Sequence, residues 1–348
     1  MPDDLQKSAP LCELDLRLIN TLQIDPRAPW KRIAQALEID PVTAARHWQR
    51  LTDSGAAWIT AQLSCRAGQL CRAFVELDCE AGRALEVAAV LADWPHVLTI
   101  EHTSGDRDLL LTIAVPDLAA LSRYAQESMG AVPGVLATRI HLVSHVHAQG
   151  CDWQLGTLDA DQRGQLGTGD RNRQASRGRE LTELDKQLIR HLGADGRRSL
   201  TALADDVGLS ISTVRRRLDD LLTSKDLILR CEIAQSLSGW PVTTWLWGQV
   251  PADDREVVPA LLRAVPEIRA CASLTGSKAN LCISVWTRSL EDTRALESRV
   301  ARLVPQFTVL DRTVVLRFVK RMGRVLDPLG RTTRVVPMDI WSDPVATR

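Results

Sequence analysis

Three consecutive arginines, Arg215, Arg216 and Arg217, carry the clearest chemistry in this chain. A guanidinium is a planar fork of N–H donors that can bind the O6 and N7 edge of guanine or neutralise a backbone phosphate. Three adjacent cations would be costly to bury without partners, which favours an exposed surface over a hairpin used only for assembly. We expect Arg216 to contact guanine and its two neighbours to contact phosphate.

The arginines lie in the second of two predicted helices. The first covers 200–207, Gly208 permits the positive φ of a tight turn, and Ser210 is a good N-cap. Val214 and Leu218 recur at helical spacing and are expected to face inward. The pattern predicts a helix-turn-helix whose second helix enters the major groove. Its predicted DNA contacts are Ser210, Ser212, Thr213, Arg215, Arg216 and Arg217.

Another helix-turn-helix is predicted near the N-terminus, with a first helix at 30–37. Asp40 is expected to cap the second helix, and Pro41 to occupy its first position. Glu38 stands where the other copy has its turn glycine, and the segment is less basic, so this unit either binds DNA weakly or serves mainly in packing. Its predicted DNA contacts are Thr43, Arg46, His47 and Arg50. The segments that follow the two units, 56–63 and 227–233, are each predicted to form a wing or strand.

These two segments are copies of one unit at an offset of 170 residues. Between 13–58 and 183–228 there are 13 identical positions, roughly four times the number expected by chance at ordinary residue frequencies. Convergence on a helical pattern explains the apolar matches, but hardly the shared Asp25 and Arg27. In the first copy the identical residues are Glu13, Leu14, Asp15, Leu18, Ile19, Leu22, Asp25, Arg27, Ala34, Thr43, Arg46, Leu51 and Ser54.

After each copy the sequence predicts the same order of elements, β-α-β-β-α-β. The first set has strands at 71–77, 97–102, 109–115 and 136–146, and helices at 81–94 and 118–130. The second set has strands at 243–250, 268–274, 281–286 and 307–319, and helices at 254–264 and 290–303. This order is that of a ferredoxin-like fold, whose helices cover one sheet face. The predicted fold class is α+β, with two winged helix-turn-helix units and two ferredoxin-like βαββαβ sandwiches.

This combination resembles the Lrp/AsnC (feast/famine) family of bacterial regulators over about 11–147 and 180–320. The resemblance implies an αβ sandwich that dimerises through its sheet and senses an amino acid or similar metabolite. The residues that carry it are Leu14-Asp15, Asp25, Arg27 and Ile33-Ala34, their counterparts Leu184-Asp185, Asp195, Arg197 and Leu203-Ala204, and Gly208-Leu209-Ser210 with Thr213-Val214 and Arg216-Arg217.

The family's Gly-Asp-x-Asp loop is resembled by Gly105, Asp106 and Asp108. The resemblance therefore assigns an amine-bearing effector to these residues. The corresponding loop of the second copy, Thr275-Gly276-Ser277-Lys278-Ala279, has lost both acidic positions. The alternative is that the two aspartates only form the turn.

The doubled unit predicts an intrachain pseudo-dimer that also forms homo-oligomers. The predicted domains are 11–65 (winged helix-turn-helix), 70–148 (ferredoxin-like, sensing and dimerisation), 149–179 (linker), 180–235 (second winged helix-turn-helix), 241–320 (second ferredoxin-like domain) and 321–348 (C-terminal extension). The linker ends in Arg171, Arg173, Arg177 and Arg179. This basic stretch is either a solvated connection or an arm that lies on phosphate.

Composition restricts the classes of function. The 348 residues are 45% hydrophobic and 25% charged, and 43 basic residues balance 43 acidic ones, so DNA binding must rest on local charge. The N-terminus lacks a signal region and no stretch of about 18 apolar residues exists, so we expect a cytoplasmic protein without a membrane partner. Eight scattered cysteines without a Cys-x-x-Cys pair favour reduced thiols over zinc, and neither metal nor cofactor is expected.

Two side-chain clusters have a choice of roles. His141, His145 and His147 share strand parity, which indicates an exposed or interface strand face rather than a metal site. A group of tryptophans in the second αβ unit indicates core or interface packing, or else an aromatic ligand pocket. The group comprises Trp240, Trp245, Trp247 and Trp286.

The leading hypothesis is a sequence-specific DNA-binding transcription regulator and not an enzyme. Its expected partners are double-stranded DNA and an amino acid-like effector. One alternative is a siroheme-decarboxylase-like enzyme, because those enzymes share this overall fold, also occur as two-unit proteins and would need a tetrapyrrole pocket in the αβ units. Another is an architectural DNA-binding protein without an effector.

Overall fold

The computed structural model describes residues 11–64, 70–166 and 180–345. The helices are α1 (Glu13–Ile24), α2 (Trp30–Leu37), α3 (Pro41–Asp53), α4 (Ala84–Ala92), α5 (Leu118–Arg123), α6 (Ala160–Leu166), α7 (Glu183–Ala194), α8 (Leu200–Val207), α9 (Ile211–Thr223), α10 (Val257–Leu262) and α11 (Leu290–Leu303). The strands are β1 (Ala57–Leu63), β2 (Cys71–Cys79), β3 (Val97–Thr103), β4 (Leu109–Val115), β5 (Val135–Ala148), β6 (Leu227–Ile233), β7 (Val242–Gln249), β8 (Ile268–Thr275), β9 (Leu281–Thr287), β10 (Thr308–Arg321), β11 (Arg324–Leu326) and β12 (Thr332–Val335). The predicted basic arm, with Arg171, Arg173, Arg177 and Arg179, lies outside the described residues.

The large sheet closes into a ring. Ten described strands are hydrogen-bonded in the order β12-β11-β10-β3-β4-β2-β5-β8-β9-β7, and β7 pairs again with β10. The two halves meet where β5 pairs with β8, with Val143 opposite Leu274, and where β10 pairs with β3, with Phe318 opposite Glu101. The structure therefore differs from two separate sandwiches, since the halves share one closed mixed α/β barrel.

Strand β4 shows why the sheet closes. Its sequence, LLLTIAV, is apolar at nearly every position and is buried along most of its length. Leu111 faces outward into the core formed with α4 and α5, whereas Leu110 packs inside with Trp245 and Trp247. A strand that is apolar on both faces needs a cover on each side. The helices supply one cover and the opposite half of the ring supplies the other.

Strands β1 and β6 form a separate two-stranded antiparallel ribbon. All seven residues of each strand are paired, from Ala57 opposite Ile233 to Leu63 opposite Leu227. The segments predicted as wings are thus strands, and they pair with each other. This ribbon joins the two helix-turn-helix units of the same chain.

The turns of the two helix-turn-helix units share one backbone conformation. Gly208 has φ 66° and ψ 31°, and Glu38 has φ 57° and ψ 44°. The left-handed region is open to glycine but strained for a residue with a Cβ. Ser210 and Asp40 then cap α9 and α3 as predicted, by accepting from the N–H groups of Thr213 and Val42, respectively.

Exchanging the turn residues should therefore shift stability in opposite directions. We expect Gly208→Ala to destabilise the chain by about 1 kcal/mol, and Glu38→Gly to stabilise it by a similar amount. Among the described residues, no atom would lie within 4 Å of a Cβ at position 208, so the first change reports backbone strain without a clash. Urea denaturation measures both changes, and shifts of the same sign would contradict the argument.

Segments outside the repeats pack against them. Within the predicted linker, residues 160–166 form the short helix α6, and Leu158 and Leu166 enter the core of the first helix-turn-helix. The C-terminal extension is folded as far as residue 345, and Ile340 packs against the second helix-turn-helix. Its Thr332 N–H donates to the carbonyl of Gly55. None of the described helices is long and apolar enough to cross a bilayer.

Candidate nucleic-acid interface and interior cavity

The three arginines of α9 differ in their exposure to solvent. Arg215 and Arg216 are exposed, whereas Arg217 is half-buried. The Arg217 Nε and Nη2 atoms lie 2.5 and 2.6 Å from the two carboxylate oxygens of Asp185, in the first turn of α7. Only the first two arginines therefore point freely to an external anion. The predicted contacts Ser210 and Ser212 are exposed beside them, and Thr213 is half-buried.

Helix α3 has the same placement with different side chains. His47 occupies the position of the third arginine of α9, and its Nδ1 lies 2.9 Å from Oδ1 of Asp15. The Nη2 atom of Arg50 lies 2.6 Å from the same oxygen. Two of the four predicted contacts thus hold the start of α1. Thr43 is half-buried and Arg46 is exposed.

The first turns of α1 and α7 fix the recognition helices through buried carboxylates. Burial raises the pKa of Asp185, but hydrogen bonds from Arg217 and Thr182 outweigh it and hold the pKa below its ordinary value. Burial also raises the pKa of Asp15, but hydrogen bonds with His47, Cys12 and Arg50 outweigh it and hold that pKa below its ordinary value. These ionised aspartates lock each recognition helix onto the first helix of its unit.

One group of possible metal ligands occurs in the described part of the chain. Cys12, Asp15 and His47 each offer an atom within 4.8 Å of the others. The Arg50 guanidinium already binds Asp15, and a cation beside it would be repelled. In the other copy Thr182 and Asp185 form the same cap, with Thr182 in place of Cys12 and Arg217 in place of His47. The group is therefore a helix cap.

The three histidines of β5 have different surroundings, and His145 is exposed. The Nε2 atom of His141 lies 3.0 Å from Glu76 Oε1, and that of His147 lies 2.8 Å from Ser273 Oγ. The rings of His145 and His147 have centroids 4.6 Å apart. The prediction that the three histidines share one strand face is wrong, because the register of β5 against β8 shifts between Val143 and His145. His141 lies inside the barrel, with its ring centroid 5.2 Å from that of Trp247, whereas His145 and His147 lie on the other face of the strand.

The two helix-turn-helix units clasp each other through one arginine each. Arg27 donates from Nη1 and Nη2 to the carbonyls of Gly196 and Arg198, at 2.8 and 3.0 Å. Arg197 returns the contact to the carbonyls of Pro26 and Ala28, also at 2.8 and 3.0 Å. The shared Asp-x-Arg was visible in the sequence as a repeat. Its role between the copies was missed, because a motif gives no sign of which chain segment it contacts.

The two carboxylates of the acidic loop after β3 lie in different surroundings. Asp108 is half-buried, and its Oδ2 accepts from the backbone N–H of Cys79 at 2.7 Å. Asp106 is exposed, and Gly105 has φ 90°, as the turn requires. Arg107 between them was missed by the sequence reasoning. It is buried and forms ion pairs with Glu76 and Asp311.

A cavity of about 200 Å³ lies between the β1–β6 ribbon and the interior of the barrel. Helix α7 and the C-terminal extension complete its wall through Arg190 and Trp341. Trp245 and Trp286 of the predicted tryptophan cluster line it, whereas Trp247 is buried in the core beside it. Among the described residues, the arginines that line the cavity are Arg72, Arg190, Arg230, Arg269 and Arg321.

One buried carboxylate holds three of these arginines. Glu232 of β6 forms ion pairs with Arg230, with Arg269 at 2.8 Å and with Arg321 at 2.6 Å. Burial raises the pKa of Glu232, but the three guanidinium groups outweigh it and lower the pKa to about 2. The ring of Trp286 stacks on one of these arginines, since the guanidinium carbon of Arg269 lies 3.8 Å from its centroid. The cluster keeps an excess of positive charge beside the cavity.

Glu101 also lines the cavity, but its pKa is shifted in the opposite direction from that of Glu232. Burial raises its pKa to about 8, against the lowering effects of a hydrogen bond from Trp245 and the charge of Arg321. The Trp245 Nε1–H donates to Glu101 Oε2 at 2.7 Å. At neutral pH this carboxyl group is therefore mostly uncharged, and it does not cancel the positive charge of the arginines.

The fold therefore combines two coupled helix-turn-helix units with a barrel that holds a basic, aromatic-lined cavity. The sequence matches the AsnC-type helix-turn-helix domain at 12–52 and at 181–222, and the Lrp/AsnC ligand binding domain at 72–151. The chain belongs to the Lrp/AsnC family, and the two helix-turn-helix matches support an internal duplication. The family predicted from the sequence is confirmed.

Two curated relatives illustrate the match. The HTH-type transcriptional regulator FL11 of Pyrococcus horikoshii is 30% identical over 142 residues, which cover 40% of this chain and 93% of that protein. The HTH-type transcriptional regulator LrpA of Mycobacterium tuberculosis is 29% identical over 142 residues, 39% of this chain and 89% of that protein. Each relative thus corresponds to less than half of this chain.

A solved structure matches the whole chain. The siroheme decarboxylase NirDL has a TM-score of 0.59 at 16% sequence identity, covering 94% of this chain and 95% of that chain. At this identity the likeness shows the fold alone. The likeness extends over both halves of this chain.

Proposed function

We propose that this chain is a sequence-specific DNA-binding transcription regulator that reads DNA mainly through α9. The observation that carries the proposal is the pair of exposed arginines, Arg215 and Arg216, on the second helix of a family helix-turn-helix. Helix α9 begins at a capped N-terminus, the end that meets base edges in this motif. Arg217, which is tied to Asp185, positions the helix rather than contacting phosphate.

The first helix-turn-helix has the weaker DNA surface in this proposal. Its His47 and Arg50 bind Asp15, which leaves Arg46 as its exposed basic contact beside Thr43. The unit would then add phosphate contacts and orientation, while α9 supplies most of the base readout.

The test is Arg216→Ala. Loss of a bidentate guanine contact should cost about 1–3 kcal/mol of specific binding and relax the base preference at one position. Operator sites selected from a random DNA library, followed by gel shifts at fixed salt, measure both effects. Arg302→Ala on α11 is the matched control, because it removes an exposed arginine outside both helix-turn-helix units. Equal affinity of the wild type and Arg216→Ala for the selected site would reject the assignment.

We also propose that each half of the barrel keeps a ferredoxin-like unit, so that the chain is an intrachain pseudo-dimer. The order βαββαβ recurs in both halves. In both, the second strand pairs with the fourth strand of the other half, β3 with β10 and β8 with β5. The reciprocal contacts of Arg27 and Arg197 repeat this relation in the helix-turn-helix units. The predicted domain boundaries and further homo-oligomers belong to this proposal.

An effector at the Gly105 loop is proposed in a narrower form than the sequence indicated. Asp108 is committed to the backbone of β2, so Asp106 is the carboxylate free to bind an amine. The exposed position of Asp106 suits a site completed by another molecule of the assembly. Gly105 would supply the turn, and Asp108 would hold the loop in place.

An enzyme like the siroheme decarboxylases is the second candidate function. The basic, tryptophan-lined cavity favours it, because guanidinium groups pair with carboxylates. The volume opposes it, since about 200 Å³ is below the roughly 300–1,000 Å³ of sites for drug-sized ligands, and a tetrapyrrole is larger still. Titration of the protein with siroheme tests this candidate function. A shift in the visible absorption band of siroheme, together with loss of carboxylate groups from it, would support an enzyme, and an unchanged siroheme spectrum would reject it.

A further inference from the structure

We infer that the cavity between the β1–β6 ribbon and the barrel binds a small organic acid, which has a compact apolar body, a carboxylate and no amine. Such a site is distinct from the Gly105 loop, because Gly105, Asp106 and Asp108 do not line the cavity. The inference goes beyond the proposed function and does not depend on DNA binding.

The arginines supply the recognition of an anion. Arg269 is only 6% exposed, and its Nη1 atom has no hydrogen-bond partner among the described residues. The Nε atom of Arg230 is also buried, and it too has no hydrogen-bond partner among the described residues. A buried donor without a partner costs free energy that an incoming carboxylate would recover. Gly150 lies against both guanidinium groups, and a Cβ at this position would force the Arg230 guanidinium to shift.

The rest of the wall selects an apolar body of limited size. Phe74, Trp245 and Phe318 line one part of the cavity, and Met338 and Trp341 of the C-terminal extension line another. Because aromatic walls contribute apolar area and ring contacts, an aryl or branched alkyl group suits them. The volume of about 200 Å³ accommodates a single ring with a short acid chain.

Among the described residues that line the cavity, none is a carboxylate available to pair with an ammonium group. Glu101 is the carboxyl group among its described lining residues, and it is mostly uncharged at neutral pH and bound to Trp245. Glu232 is already surrounded by three arginines. An α-amino acid would therefore have to bury its ammonium group without a counter-ion and close to several arginines, which is costly. This exclusion separates the cavity from a site for amino acids.

Three related probes test each part of the inference by isothermal titration calorimetry. 3-Phenylpropionate carries the ring and the carboxylate, 3-phenylpropionamide lacks the charge, and phenylalanine adds the amine. We expect 3-phenylpropionate to bind at least tenfold more tightly than either of the others. The inference is overturned if the amide or the amino acid binds equally well, or if the acid shows no binding at millimolar concentration.

Three variants locate the binding. Arg269→Gln should weaken 3-phenylpropionate at least tenfold, whereas Arg302→Gln, which removes an exposed positive charge elsewhere, should leave it unchanged. Ala270→Phe is the second test, in case Arg269→Gln disturbs the fold. It keeps every arginine but fills the cavity with a larger side chain, so it should abolish binding. Near-UV circular dichroism confirms folding. Undiminished binding in folded Ala270→Phe would place the acid elsewhere and overturn the inference, whatever the outcome of the DNA experiments.

Discussion

Glu232→Gln is expected to destabilise the chain by about 3–5 kcal/mol at pH 7. The change keeps the shape of the side chain but removes the negative charge that pairs with Arg230, Arg269 and Arg321. All four side chains are buried, so the guanidinium groups would be left in a low dielectric without a counter-ion. Urea denaturation measures the loss.

The pH dependence of this difference is a separate signature. The pKa of Glu232 is about 2 in the folded chain, below the ordinary 4.5, so its contribution is complete above pH 4.5 and is lost as the pH falls towards 2. A shift of this size corresponds to roughly 3 kcal/mol. The stability gap between wild type and Glu232→Gln should therefore be constant from pH 5 to 7 and should narrow below pH 4.5.

The matched control is Glu291→Gln, which neutralises an exposed carboxylate paired with Arg294 on the surface of α11. Such pairs contribute at most about 1 kcal/mol. If Glu232→Gln were no more harmful than this control at pH 7, the buried cluster would not depend on its carboxylate. A gap that failed to narrow in acid would assign the effect to packing rather than charge.

The second large effect is expected at the clasp between the helix-turn-helix units. Arg27→Ala and Arg197→Ala should each destabilise the chain by about 3 kcal/mol, since each removes two charge-assisted hydrogen bonds and leaves two carbonyls without their partner. Lysine should not rescue either position, because a single ammonium cannot reproduce the planar two-point contact. Arg197 also stacks on Trp30, 4.1 Å from the ring centroid.

Thermal denaturation and gel shifts of the same variants test both consequences of the clasp. Because the two arginines act at one interface, the double variant should lose less stability than the sum of the single changes. DNA affinity should fall as well, since the clasp fixes the spacing of the two units. Arg302→Ala is again the control, and full stability of both single variants would show that the β1–β6 ribbon alone joins the units.

Local structure was predictable where the sequence itself contains the determinants. The caps at Ser210 and Asp40 and the turn at Gly208 follow from side-chain chemistry within a few residues. The matching left-handed Glu38 follows from the repeat, despite its unfavourable residue type. The recognition helices and the order of strands were therefore found correctly, but the DNA contacts themselves stay a prediction.

The closed barrel and the cavity could not be predicted in this way. Arg230 and Glu232 are two residues apart on β6, which reads as the polar face of a half-exposed strand. The structure instead buries this face against β8 and β10, through Arg269 and Arg321. Those partners lie 37 and 89 positions away from Glu232, and no local pattern specifies such a pairing. The apolar face of β4 likewise indicates a cover without naming it.

The duplication has a consequence for inheritance. In a symmetric homodimer every substitution appears twice, so a gain on one side is always accompanied by the same change on the other. Here the residues at offset 170 mutate independently, as His47 and Arg217 already show by holding equivalent aspartates with different side chains. Selection can therefore tune each half alone. Within one chain the two recognition helices are not related by exact symmetry, so we expect a single chain to bind two unlike half-sites in a fixed order rather than a palindrome.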